Sequence, residues 1–87
     1  MNQSHINKST ILKALGHPIR YCIVEGLVAG ENNVSTMVEC TNVPQPTVSQ
    51  HLNVLRAAGI IESKREGTQM FYSVCSNEAK KIIAALK

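Results

Sequence analysis

Apolar residues recur along the first third of the chain at helical spacing. Ile11, Leu12 and Leu15 fall at i, i+1 and i+4, with Ile6 about a turn earlier, which predicts an amphipathic helix over about residues 5–15. Gly16-His17-Pro18 ends it. Pro18 suits the first turn of a second helix, where its missing N–H would be unpaired anyway, and Ile19, Ile23 and Leu27 carry the stripe to Gly30. Gly30-Glu31-Asn32-Asn33 breaks the pattern. Ser35 or Thr36 then suits the cap of a short third helix bearing Met37 and Val38, with Thr36 and Glu39 at capping-box spacing, ending near Asn42.

After Val43-Pro44, Val48, Leu52 and Leu55 sit at i, i+4 and i+7. They predict a helix over about residues 45–58, closed by Gly59 in a left-handed conformation. Thr47, Gln50, Asn53 and Val54 face away from that stripe. Ile60 to Lys64 and Gln69 to Val74 are β-rich runs flanking Arg65-Glu66-Gly67-Thr68, which predicts a hairpin within residues 60–75 with Gly67 in its turn. Ser76 or Asn77 suits the cap of a last helix over about residues 77–87, with Ile82, Ile83 and Leu86 on its apolar side. The fold class is mainly α with a small β-hairpin: four helices, a hairpin and a C-terminal helix.

Length and composition narrow the picture. At 87 residues, 44% hydrophobic and 17% charged, the chain fits a single folded domain, residues 1–87. A core with one Phe, two Tyr and no Trp is thin, so self-association is an expected source of stability. Apolar runs stop at five residues, far below the ~20 of a membrane span. The start, Met1-Asn2-Gln3-Ser4-His5, lacks a basic and apolar leader, which implies a cytoplasmic location and reduced thiols. The net charge of +3 is compatible with a polyanionic partner without demonstrating one. All six acids are Glu, and no nucleophile-base-orienter set or Gly-rich phosphate loop is present, so an enzyme is not expected. The sequence calls for no cofactor and shows no metal site; the three Cys, at 22, 40 and 75, contain no C-x-x-C pair.

A short helix, a tight connection and a second helix with an exposed polar N-terminal half is a helix-turn-helix layout. Small hydrogen-bonding side chains suit the major groove, and Gln45, Thr47, Ser49, Gln50 and His51 supply them, with no acid between Glu39 and Glu62. The same face also fits a merely solvated helix. The hairpin that follows can serve as a wing, laying Lys64, Arg65 and Gln69 against phosphates or into the minor groove, although Glu62 and Glu66 dilute its charge.

These residues resemble the winged helix-turn-helix repressors of the ArsR/SmtB type. Leu12-Lys13-Ala14-Leu15-Gly16-His17-Pro18-Ile19-Arg20 is similar to that family's junction of helices one and two. Gln45-Pro46-Thr47-Val48-Ser49-Gln50-His51-Leu52, then Leu55, Ala58-Gly59-Ile60-Ile61 and Arg65-x-Gly67 through Tyr72, is similar to its recognition helix and wing. The resemblance implies a homodimer held by the first and last helices, contacts to an inverted-repeat operator in double-stranded DNA from Gln45, Thr47, Ser49, Gln50 and His51, and autoregulated repression. His51 fits either a DNA contact or half-buried packing.

The sequence departs from the family where a signal would be sensed. Asn33 and Ser35 stand where a third-helix C-x-C metal pair is expected, and residues 78–87 contain no Asp or His for the alternative site in the last helix. Pro44 replaces the usual capping Ser, a loss of about 1 kcal/mol unless compensated. Some relatives respond through thiols. Cys22, beside Ile19 and Ile23, is expected in the core, whereas Cys40 and Cys75 are expected to be more exposed. Redox or arsenite sensing by the three thiols requires a convergence that spacing does not show. A winged helix serving only protein contacts is the other alternative.

Overall fold

A computed structural model describes residues 1–30 and 32–87; Glu31, part of the expected break after the second helix, lies outside the described residues. The helices are α1 (Gln3–Leu15), α2 (Pro18–Ala29), α3 (Val34–Thr41), α4 (Gln45–Ala57) and α5 (Asn77–Ala85). Strands β1 (Asn32–Asn33), β2 (Ile61–Glu66) and β3 (Gln69–Val74) form one antiparallel sheet in the order β1-β3-β2. The expected succession of elements is present, with one addition. Strand β1 pairs Asn32 with Tyr72 and Asn33 with Phe71, and two asparagines carry no alternation that would announce a strand.

The stripe Val48, Leu52 and Leu55 is the centre of the core, joined by Val24 of α2, Ile60 and Ile83 of α5, all six fully withdrawn from solvent. Burying each such side chain contributes about 1.5–3 kcal/mol before entropy is counted. The end of α4 follows from its sequence. Gly59 takes φ +75°, its N–H bonds to Arg56 O and the Ile60 N–H to Leu55 O, both at 3.0 Å. This reciprocal pair is a Schellman motif, and it swings Ile60 back against Leu55 into the core. In the hairpin, Glu66 pairs with Gln69, so β2 runs further than expected and the turn shrinks to Gly67-Thr68. Gly67 has φ +62° and Thr68 does not share the positive φ, the pattern of a type II′ turn.

Three expectations about helix ends and burial need correction. Helix α3 starts at Val34 because Asn33, rather than Ser35 or Thr36, caps it, its side chain accepting from the Thr36 N–H. Helix α1 starts at Gln3, where Asn2 and His5 form a capping box; a His in the place usually held by Glu or Gln hid that start. The first and last helices, expected to hold a dimer, bury Ile11, Leu15 and Ile83 within the chain and leave only Ile6, Leu12 and Leu86 of their large apolar residues exposed. Ser76 caps α5 as expected, accepting from the Ala79 N–H.

Candidate nucleic-acid interface

Helix α3 ends at Asn42, whose φ of 59° is tolerated because asparagine populates the left-handed region. Val43-Pro44 then leads into α4. Pro44 makes no side-chain cap bond, but little is left for a cap to do. A capping oxygen serves the second or third N–H of a helix. Pro46 has no N–H, and the Thr47 N–H already bonds to Pro44 O at 3.0 Å.

The N-terminal half of α4 projects its polar side chains away from the core, with Gln45 and Gln50 exposed and Thr47 and Ser49 half-buried. His51 turns aside. Its ring lies 4.6 Å, centroid to centroid, from that of His17, the N-cap of α2. Burial, and then the charges of His17 and Arg20, hold the His51 pKa below its usual 6.5. Arg56, further along α4, reaches Asn53 Oδ1 and Ser63 Oγ, both at 3.4 Å, and so links this helix to β2. A basic residue in the last turn of a helix that precedes a strand is the sequence signal for this link.

On the wing, Lys64, Arg65 and Gln69 are all exposed, but not on one face. The register puts Lys64 and Gln69 on one side and Arg65, opposite Met70, on the other. Lys64 pairs with Glu66 at 3.3 Å, an exposed bridge that tethers the lysine without adding much stability. Arg65 makes no ion pair among the described residues. An open cleft of about 250 Å³, with Gln45 at the start of α4 on one wall and Gln69 on another, separates helix from wing.

The family's metal positions do not fit a metal here. Asn33 Oδ1 accepts from both the Thr36 N–H and the Thr36 hydroxyl at 3.0 Å, so its lone pairs are committed. Among the described residues no three His, Cys or Glu side chains gather. The thiols divide. Cys22 is exposed rather than buried, because the buried faces of α2 are Ile23, Val24 and Leu27; it shares a groove between α2 and α3 with Cys40. Cys75 lies apart and donates to Gly59 O at 3.5 Å.

Helix-turn-helix, polar outer face and two-stranded wing together define a winged helix-turn-helix regulator. The description "Bacterial regulatory protein, arsR family" matches residues 17–63, and the chain belongs to that family. The chain is 41% identical over 76 residues to the biofilm growth-associated repressor of Agrobacterium fabrum, covering 87% of this chain and 65% of that one. HlyU from Vibrio cholerae superposes with a TM-score of 0.93 at 29% identity, over 99% of this chain and 94% of its own. The homodimeric winged helix-turn-helix DNA-binding domain of a possible ArsR-family transcriptional regulator from Mycobacterium bovis gives 0.83 at 28% identity, over 92% and 74% of the two chains. Among the described residues no helix is long and apolar enough to cross a membrane.

Proposed function

We propose that the chain is a single winged-helix unit over residues 1–87 that acts in the cytoplasm as a homodimeric, DNA-binding transcriptional repressor without catalytic activity. The carrying observation is the outward face of α4, exposed at Gln45 and Gln50, free of acids and flanked by a wing. Gln45, Thr47, Ser49 and Gln50 then meet base edges in the major groove, Lys64, Arg65 and Gln69 meet phosphates, and His51 packs on His17. Exposed Ile6, Leu12 and Leu86 support association through α1 and α5, and the homodimeric state of the Mycobacterium bovis relative supports a dimer. A two-fold dimer presents two reading helices, so the operator is an inverted repeat with half-sites ~34 Å apart. Fluorescence anisotropy against the DNA upstream of its own coding sequence tests this. Salt-dependent binding that outcompetes random duplex supports it, and no binding beyond random duplex refutes it in favour of a protein-contact module.

A second reading concerns release from DNA. The groove shared by Cys22 and Cys40 favours a thiol response by that pair, with Cys75 uninvolved. DNA binding of Cys22→Ser, Cys40→Ser and Cys75→Ser proteins, with peroxide or arsenite added, separates them. Release that survives loss of Cys22 and Cys40 removes the pair from the mechanism.

A further inference from the structure

Asn33 is in three structures at once. Its backbone belongs to β1 and pairs with Phe71, its Oδ1 caps α3, and its Nδ2 donates to Gln69 Oε1 at 3.2 Å across 36 positions of sequence. The amide orientation is fixed by its partners. Thr36 N–H only donates, so the oxygen must face α3 and the amino group must face the wing. Gln69 lies two residues beyond Phe71 toward the hairpin tip and on the same face. The contact therefore continues the edge of β1 by one side-chain rung, past the last residue at which β3 has a second backbone partner.

That position matters because the tip has little else to hold it. Residues 64–69 are all exposed, and a two-stranded ribbon alone is marginally ordered. The tether also polarises Gln69. With Oε1 occupied by Asn33, the free end of the Gln69 amide is its NH₂ group, a donor, and a phosphate oxygen is an acceptor. Asn33 and Gln69 border the cleft that also contains Gln45, so the tether sets the separation between the wing and the start of the reading helix.

We infer that Asn33 is a positioning residue for DNA binding: it latches the wing to the helix-turn-helix and turns the Gln69 amide so that its donor end meets a backbone phosphate. The inference rests on the proposed DNA-binding function. Asn33→Ser keeps a competent helix cap while removing the donor to Gln69, so it separates the latch from the fold. Anisotropy over a salt series and ¹⁵N relaxation of residues 64–70 in the free protein are measured for wild type, Asn33→Ser, Gln69→Ala and the double variant.

Loss of one such hydrogen bond corresponds to about threefold to tenfold weaker binding. Asn33→Ser is expected to show that loss with the salt slope unchanged, because the Gln69 amide carries no charge, and lowered order parameters at the wing tip with the melting temperature kept. In the Gln69→Ala background it should weaken DNA binding no further. Unchanged tip order in Asn33→Ser overturns the latch whether or not DNA binds. Unchanged affinity in a protein whose wild type binds DNA, or full additivity with Gln69→Ala, overturns its role in binding. A wild type that ignores DNA defeats the proposed function, while the relaxation data still decide the latch.

Discussion

The imidazole of His51, on α4, packs at 46° against that of His17, which caps α2 and whose Nδ1 accepts from the Ile19 N–H at 3.2 Å. This contact ties the junction of the first two helices to α4, and it has a pH consequence. The folded state disfavours a charged His51, through burial first and then the neighbouring His17 and Arg20. Above the unfolded-state pKa of 6.5, His51 is neutral in both states and its contribution to stability is complete. As pH falls below that value the unfolded chain takes up the proton first, so stability is lost until the lowered folded pKa is passed. Thermal melts from pH 8 to pH 5 should show this fall, and His51→Gln should lessen it; an unaltered pH profile in His51→Gln would contradict the assignment.

Base readers and phosphate binders should separate on DNA. Gln50→Ala or Ser49→Ala should cost about 1–3 kcal/mol on the operator and relax its specificity, whereas Arg65→Ala should weaken specific and random duplex alike and reduce the salt slope by about one. Titrations of both duplexes at several salt concentrations check this. Equal loss on the two duplexes for all three variants contradicts the division of roles.

Association should be separable from folding. Leu12 is 56% exposed and Leu86 67%, so Leu12→Glu with Leu86→Glu should yield a folded monomer at tens of micromolar by sedimentation. Ile83 is fully buried, and Ile83→Ala should instead cost about 2–5 kcal/mol of stability in a denaturant melt. A Leu12/Leu86 double variant that still sediments as a dimer would move the interface elsewhere.

Gly59→Ala should destabilise the chain by about 1 kcal/mol. The space beside Gly59 is open, so a methyl group meets nothing; the cost arises wholly from φ +75°. Chemical denaturation measures it, and a stabilised variant would show that the helix end can relax out of the left-handed region.

Elements with a long apolar period were legible in the sequence: Val48, Leu52 and Leu55 announce α4, and Gly59 its end, because periodicity and a special φ are local properties. Side chains doing another residue's job were not. His5 stands in for Glu in a capping box, and Asn33 caps α3 where Ser35 and Thr36 offered the better-known signature. Strand β1 exists only because β3 lends it an edge, a long-range fact with no local trace. Likewise, Cys22 sits one position before the buried Ile23, and composition alone cannot tell a core thiol from one lining a groove. For the candidate interface, residue types on α4 were readable, while the two-faced wing needed the register of β2 on β3.

The first ten residues are all exposed, and α1 buries only Ile11, Ala14 and Leu15 from its second half. At 13 residues, α1 is near the length at which a lone helix in water is marginal, whatever its capping box contributes. If α1 joins the proposed dimer, its leading turns gain a partner on association, and by mass action their order then rises with protein concentration. In that dimer, amide exchange at Gln3 to Ile6 would read the balance between single and paired chains.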